Sequence, residues 1–309
     1  MKKLIVLTLI LLPLSRVKAQ NQFHMTQYMV HQPFVNPAAA GAKTNLNGAL
    51  FYRAQYVGFD GSPRVAGLNV NSPIGKGNSN IGLSVINDQI GVNDVTDISV
   101  NYAYTLRFAN ESRLSFGVSG ILSLMQSDYA SVETNGINDP FFTDNTPTLL
   151  APNVKLGIYY QKDRFYIGLA TPKLLQNDII YANEYIAQSR ADLSQTHLFL
   201  QGGYRFKINE TTELHASTLM KYAAGAPIQF DFNALVEFKE KFGLGLSGRT
   251  NGDIAAVVQY RITDMFKLSY SCDYALNRLS DFSTGSHEIM LLVDLKNALS
   301  PLKITSPRF

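Results

Sequence analysis

The chain has 309 residues, of which 46% are hydrophobic and 17% are charged, with 27 basic and 24 acidic residues and one cysteine. A single cysteine, Cys272, excludes an internal disulfide framework. The length alone would allow one or two soluble domains. The start of the chain gives the first indication of the class of protein.

Residues 1–19 have the pattern of a secretory signal peptide. Two lysines precede an apolar run at 4–14, and the sequence VKA at 17–19 fits the small-x-small rule for cleavage. We therefore expect export through Sec and cleavage after Ala19. Four of the 27 basic residues lie in this segment, which leaves 23 basic against 24 acidic residues and no case for nucleic-acid binding.

Residues 20–43 form a second, different segment. It reads QNQFHMTQYMVHQPFVNPAAAGA at 20–42, contains two prolines and lacks the alternation of a strand. Its aromatic and methionine side chains argue against full exposure to water. We expect it to pack in or under the domain that follows, and a disordered leader is the alternative.

Strand patterns dominate the rest of the chain. In IQFDFNALVEF at 228–238, large apolar residues alternate with polar ones, as they do at 98–107, 198–208, 266–274 and 289–295. A strand with this period has one apolar and one polar face. Turn signals divide the chain into about fourteen strands. We place them near 44–57, 64–73, 80–88, 95–108, 113–126, 153–161, 164–171, 195–208, 212–222, 227–238, 241–249, 253–262, 265–276 and 286–296.

These strands predict an all-β protein, a transmembrane antiparallel up-and-down β-barrel over residues 44–296 with a tail at 297–309. After residue 19 the sequence has no apolar run long enough for a spanning helix, whereas a closed barrel satisfies every backbone group between strands. The three longest predicted connections are 127–152, 172–194 and 277–285. They follow strands 5, 7 and 13, so all three lie on one side, which we take as the outer side.

The barrel predicts where the charged side chains point. Fourteen strands enclose a lumen too wide to be filled by wall side chains, so it must be wet or plugged. Charge at the lipid midplane costs about 2–4 kcal/mol for Arg or Lys. Charged strand residues such as Arg205, Asp231 and Lys267 therefore belong to the lumen, and the apolar faces belong to lipid.

The sequence offers no convincing catalytic or metal site. His197 and His215 fall at opposite ends of neighbouring strands, and the GVSG and GLSG sequences lack the last glycine of a nucleophile elbow. We expect no enzyme, no cofactor and no bound metal. The acidic stretch NDQIGVND at 87–94 could hold a divalent cation, and an acidic turn is the alternative.

Several motifs in order resemble one family. They are QFHMTQYM and NPAAAG within 22–41, RAQYVGFDGSPR at 53–64, NDQIG at 87–91, YAYTLRF at 102–108, and DYALN and GSHEIML within 273–291. This set resembles the PorP/SprF family of type IX secretion proteins. One departure is Tyr56, where the family commonly has tryptophan.

The resemblance implies an outer-membrane barrel of the Bacteroidetes secretion and gliding apparatus. Members assist export or surface attachment of large, often adhesin-like secreted proteins with a C-terminal sorting domain, and some are linked to periplasmic ring components. A small-molecule transporter or diffusion pore is the leading rival, because fatty-acid transporters also have fourteen strands and an N-terminal plug. An outer-membrane enzyme is the third class.

Residues near the outer ends of the predicted strands are the candidate partner-binding site. They share a place at the outer rim or the upper lumen, and the alternative is that they only shape tight turns. The candidate residues are Arg53, Gln55, Phe59, Asp60, Pro63, Asn87, Asp88, Asp273, Tyr274, His287 and Glu288.

Overall fold

A computed structural model describes residues 24–75, 78–132, 144–181, 185–191, 197–224 and 226–295. Within these ranges the chain forms sixteen strands and four short 3₁₀ helices. The strands are β1 Leu46–Ala54, β2 Arg64–Ile74, β3 Ser79–Ile90, β4 Asn93–Arg107, β5 Arg113–Ser127, β6 Leu149–Lys162, β7 Phe165–Thr171, β8 Leu175–Tyr181, β9 Tyr185–Ala191, β10 Leu198–Asn209, β11 Thr212–Tyr222, β12 Gln229–Phe238, β13 Phe242–Arg249, β14 Asp253–Arg261, β15 Phe266–Ala275 and β16 Ser286–Leu295. The 3₁₀ helices are Gln32–Phe34, Pro37–Ala42, Tyr129–Ser131 and Arg278–Asp281.

Fourteen of the described strands form one closed antiparallel barrel in which neighbours along the chain are neighbours in the sheet. The barrel closes where β1 pairs with β16, with Leu46 opposite Leu295. The predicted fourteen-strand barrel is confirmed. One stretch differs: we expected a loop over 172–194, but β8 and β9 form a separate two-stranded hairpin there, while β7 pairs directly with β10.

The two faces of the wall are inverted relative to a soluble protein. In β12, Phe232 is 57% exposed whereas Asp231 is 1% exposed, and the same alternation runs along most of the barrel strands. An apolar outer face is what a bilayer requires, since lipid solvates apolar side chains. None of the helices in the described ranges is long and apolar enough to cross a membrane.

The ends of the barrel differ in the length of their connections. Short turns join the strands at one end, as at 163–164, 210–211 and 239–241, and we call this the turn end. The long connections 128–148 and 172–197 lie at the other end, the loop end. Barrels of the outer membrane have short periplasmic turns and longer outer loops, so the loop end faces outward.

Residues 24–42, which we call the lumenal segment, pack against inward-facing side chains on opposite walls. Asn233 of β12 donates its amide to the Tyr28 hydroxyl at 2.6 Å. Lys155 of β6 donates to the carbonyl of Phe34 at 2.9 Å. β6 lies six strands from β16, whose Glu288 accepts a hydrogen bond from the Thr26 N–H, so the segment crosses the lumen.

The predicted signal peptide at 1–19 and the tail at 297–309 lie outside the described residues, as do residues 20–23 and 133–143. The boundaries proposed for these parts therefore stay predictions. The described barrel itself runs from Leu46 to Leu295.

The apolar outer face gives a direct test of the membrane position of the wall. Val100 lies at the middle of β4 and is 55% exposed. We expect Val100→Arg to destabilise the folded barrel by about 2–4 kcal/mol, the cost of a basic side chain at the bilayer midplane. Equilibrium urea unfolding in lipid vesicles measures this, with Val100→Leu as the control. Equal stabilities for the two variants would contradict a lipid-facing position.

Candidate functional site

A cluster of charged side chains lies inside the loop end of the barrel. Seven adjacent strands each contribute one inward-facing residue to it within the described part of the chain. We call this set the mouth cluster; its members are Arg53 of β1, Glu288 of β16, Asp273 of β15, Asp253 of β14, Arg249 of β13, Asp231 of β12 and Lys221 of β11. Their places in the strands explain why they meet: Arg249 ends β13 and Asp253 begins β14, so both sit at the loop end.

Ion pairs connect the cluster into one network. The Nη2 atom of Arg53 lies 2.8 Å from Oδ2 of Asp273, and Nη1 of Arg53 lies 3.3 Å from Oε2 of Glu288. Arg249 approaches the same Asp273 oxygen at 3.2 Å. Lys221 pairs with Asp231 at 2.7 Å. Because these side chains are almost fully buried, each charge depends on the others for its stabilisation.

The start of the lumenal segment completes this network. The backbone N–H groups of Thr26 and Gln27 donate to the two carboxylate oxygens of Glu288, at 2.7 and 3.0 Å. The Thr26 hydroxyl accepts from Arg53 at 2.7 Å and from Arg249 at 2.6 Å, and donates to Asp273 at 2.5 Å. Thr26 and Gln27 are themselves fully buried.

The lumenal segment adds hydrogen bonds to the buried charges of the mouth cluster. The cluster has three basic and four acidic side chains, and Glu288 already pairs with Arg53 of the wall. Two backbone N–H donors of the segment add to the stabilisation of the Glu288 carboxylate, since a hydrogen bond to a carboxylate is among the stronger kinds. The segment therefore helps to stabilise the buried charges of the mouth cluster.

Farther along, the segment is fixed by shape. Gly117 of β5 and Gly157 of β6 face each other across the ladder and form a hollow. A Cβ atom on Gly117 would lie 2.2 Å from the backbone nitrogen of Ala38, and one on Gly157 would lie 2.1 Å from Oδ1 of Asn36. Only glycine leaves room for the chain here. The Asn36 side chain accepts from the Ala38 N–H at 3.0 Å and caps the helix Pro37–Ala42.

Between these two anchors the segment has a mixed environment. His31 forms a 2.7 Å hydrogen bond with Asn69 of β2. The Phe34 ring packs edge-to-face on Phe51 of β1, with centroids 4.9 Å apart. The lumenal segment is therefore held by charge-assisted hydrogen bonds at the loop end and by close packing toward the turn end.

Above the mouth cluster, two outer loops are joined to each other. The N–H of Val57 donates to the carbonyl of Gly285 at 2.8 Å, and the N–H of Thr284 donates back to Val57 at 2.9 Å. This pairing links the loop after β1 with the loop after β15. We call the joined loops, residues 55–63 and 276–285, the rim ledge. Its two phenylalanines, Phe59 and Phe282, are 55% and 67% exposed.

The structure divides the predicted site residues into separate groups. Arg53, Asp273 and Glu288 meet in the mouth cluster, where their polar atoms contact the lumenal segment and one another rather than solvent. Four residues belong to the rim ledge: Gln55, Phe59, Asp60 and Pro63. Of these, Gln55 is buried, and its N–H donates to the carbonyl of Pro63.

The remaining predicted residues lie elsewhere. Asn87 donates to Asp94 at 2.8 Å within its own hairpin, and its neighbour Asp88 is half-buried. Tyr274 is 51% exposed on the outward face, and His287 contacts the Tyr270 hydroxyl at 2.7 Å, also on that face. The last two therefore face away from the lumen. Partner binding by any of the predicted residues stays a prediction.

Sequence analysis did not identify Thr26, Gln27 or Arg249 as parts of a site. A signal for Arg249 was available, because it is a charged residue at an inward position of a predicted strand. Thr26 and Gln27 lie in the QFHMTQYM motif, but nothing local predicts their contacts. Thr26 has one partner 27 residues away, Arg53, and the other partners in the barrel wall are more than 200 residues away in the sequence. Among the described residues no group of His, Cys, Asp and Glu is arranged to hold a metal ion.

The buried ion pairs predict a large stability effect. We expect Arg53→Ala to destabilise the barrel by about 3–5 kcal/mol, because Asp273 and Glu288 would remain buried without their partner. Arg64→Ala is the matched control, since Arg64 is an exposed arginine at the start of β2. Urea unfolding in vesicles measures both, and a loss for Arg53→Ala no larger than that of the control would refute the coupling.

The glycine hollow predicts a steric effect on the lumenal segment. We expect Gly117→Val to displace the segment near Ala38, because the new side chain would overlap its backbone. Gly120→Val on the same strand is the control, since a Cβ there meets nothing within 4 Å. Protease cleavage of the segment in otherwise folded barrels reports the displacement. Equal resistance of the two variants would show that the hollow does not hold the segment.

Comparison with solved structures finds outer-membrane proteins of low sequence identity. Omp33 of Acinetobacter baumannii has a TM-score of 0.48 and 11% identity, covering 82% of this chain and 99% of that one. The toluene transporter TodX of P. putida has a TM-score of 0.49 and 7% identity, with 86% and 94% covered. A FadL homologue of Pseudomonas aeruginosa has a TM-score of 0.43 and 11% identity, with 85% and 92% covered. No curated protein matches the chain.

A protein-family model matches the chain and shows which family it belongs to. The model described as type IX secretion system membrane protein PorP/SprF matches residues 17–293, which is nearly the whole chain. Together with the closed barrel and its apolar outer face, the match places the protein in the outer membrane. The chain therefore belongs to the PorP/SprF family of type IX secretion system membrane proteins.

Proposed function

We propose that this protein is a non-enzymatic accessory barrel that assists export or surface attachment of a secreted partner. The partner is an adhesin-like protein with a C-terminal sorting domain. The barrel itself reaches the outer membrane after Sec export and cleavage of its signal peptide after Ala19. Contact with periplasmic components of the secretion apparatus belongs to the same proposal. The observation that supports this proposal is that the lumen is occupied by residues of the protein's own chain, whereas the rim ledge is accessible at the outer end of the barrel.

The rim ledge has the properties of a docking surface. Phe59 and Phe282 are exposed, and Gly58, with φ at +101°, lies beside the carbonyl of Phe282 in the other loop. Large aromatic side chains are the usual anchors of protein interfaces. The hydrogen bonds between the loops hold these anchors in place before a partner arrives, which reduces the entropy lost on binding.

The lumenal segment argues for an accessory role over a diffusion pore. It is tied to the mouth cluster by charge-assisted hydrogen bonds and to the glycine hollow by close packing. A molecule passing through the lumen would have to displace it. Planar-bilayer recording separates the two functions: an accessory barrel gives little current, whereas a large open-channel current from the wild-type protein would favour the pore.

The ledge predicts a loss of partner display. We expect the double variant Phe59→Ala/Phe282→Ala to lower surface display of the cognate secreted protein about tenfold or more, because truncating each anchor costs over about 1 kcal/mol of binding. Surface immunolabelling of cells measures display, and immunoblotting of membranes measures the amount of barrel.

The control is Phe238→Ala/Phe242→Ala, which removes two similarly exposed phenylalanines at the turn end. It should leave display unchanged. Normal display by the rim variant at normal barrel level would overturn docking at the ledge.

A further inference from the structure

We propose that the mouth cluster is a peptide-recognition site that Thr26 and Gln27 occupy in cis. Its ligand in trans is an extended segment of the secreted partner in which a hydroxyl residue is followed by a carboxamide residue. This inference rests on the proposed function, since it assigns that partner a second contact point below the rim ledge. The resident segment is then a stand-in for the ligand.

The contacts of Thr26 and Gln27 with the mouth cluster are of the kind by which proteins recognise extended peptides. Both consecutive backbone N–H groups of the dipeptide donate to one carboxylate, that of Glu288. The Gln27 amide nitrogen donates to the Glu288 carbonyl at 3.1 Å, and its amide oxygen accepts from the hydroxyl of Ser269. The site therefore contacts the backbone for affinity and each side chain for identity.

The hydroxyl position is the most selective. One oxygen, Oγ1 of Thr26, accepts from two guanidinium groups and donates to one carboxylate, so its full hydrogen-bonding capacity is used. Valine has the same shape without the hydroxyl and would leave buried N–H groups of Arg53 and Arg249 without that partner. A site built for a hydroxyl rejects the analogue that lacks it far more strongly than a hydrophobic pocket rejects a change of size.

The resident dipeptide leaves part of the site unused. Two buried atoms of the cluster, Nε of Arg53 and Oδ1 of Asp273, have no hydrogen-bond partner among the described residues. Both residues line a small cavity whose other walls include Tyr56, Asp253 and Gly285, which places it between the cluster and the rim ledge.

The anchoring of the lumenal segment permits such an exchange. Around Thr26 the segment is held by hydrogen bonds and charge, which a ligand of the same chemistry can replace one for one. Around Ala38 it is held by close packing in the glycine hollow, which a ligand at the mouth does not touch. The upper part can therefore leave the cluster while the lower part remains in the lumen.

The test uses the full chain in nanodiscs and the fluorescent hexapeptide HMTQYM, the sequence of residues 24–29. In the variant Thr26→Pro/Gln27→Pro the resident lacks both side chains and both backbone N–H donors to Glu288, so it competes poorly, while every side chain of the cluster is intact. We expect saturable peptide binding to this variant. Binding to the wild-type protein should be at least tenfold weaker, because a tethered resident acts at an effective concentration of about millimolar.

Two further measurements make the result specific. The same peptide with valine in place of threonine should bind the variant at least tenfold more weakly, and adding Glu288→Gln to the variant should abolish binding. Heat-modifiable migration on gels confirms that each protein is folded. Absence of saturable binding to the folded double variant would overturn the proposal, as would equal binding of the threonine and valine peptides.

The outcome is independent of the display experiment. If the peptide fails to bind while the rim variant loses display, the accessory function stands and recognition by the mouth cluster fails. If the peptide binds with the expected selectivity while the rim variant displays normally, the cluster is a peptide site and docking at the ledge fails.

Discussion

The width of the lumen is the constraint on which the rest of this structure depends. Fourteen strands enclose more space than the side chains of the wall can fill, and an apolar exterior is demanded by lipid. The polar residues of each strand must then face inward, where they need partners. The chain supplies those partners from its own residues 24–42, which cross the lumen and contact both walls. Barrel and lumenal segment are therefore one folding unit in physical terms.

The mouth cluster shows how strongly the two are coupled. Four carboxylates and three cations lie on neighbouring strands in an environment that excludes most water. Buried ion pairs gain little net stability, but they are sensitive to the loss of any member. Glu288 pairs with Arg53 and also accepts two backbone N–H groups of the segment, so the wall and the segment both stabilise its charge. A protein built in this way favours one position of the segment over all others.

The lumenal segment is attached differently at its two ends, and this difference bears on the proposed function. Polar contacts at the loop end can be exchanged with another polar ligand, whereas the close packing of Ala38 on Gly117 and of Asn36 on Gly157 requires that shape of chain. The exchangeable end lies beneath the rim ledge, the surface that presents Phe59 and Phe282. A secreted partner would meet an apolar surface first and a polar peptide site next. This order suits the proposed function, in which the barrel contacts a secreted polypeptide.

The sequence by itself determined the barrel, because strict alternation over many strands can satisfy backbone groups in lipid only by closure. It also indicated which face of IQFDFNALVEF meets lipid, since Asp231 could not lie there. Position along each strand brought Arg53, Asp273 and Glu288 to the loop end in the prediction and in the structure. The hairpin of β8 and β9 was missed because its polar residues, such as Asn177, do not follow a clear period. Only the tertiary structure decided that Thr26 and Gln27 sit among those charges, because closing the barrel brings together groups more than 200 residues apart, and no local pattern encodes that contact.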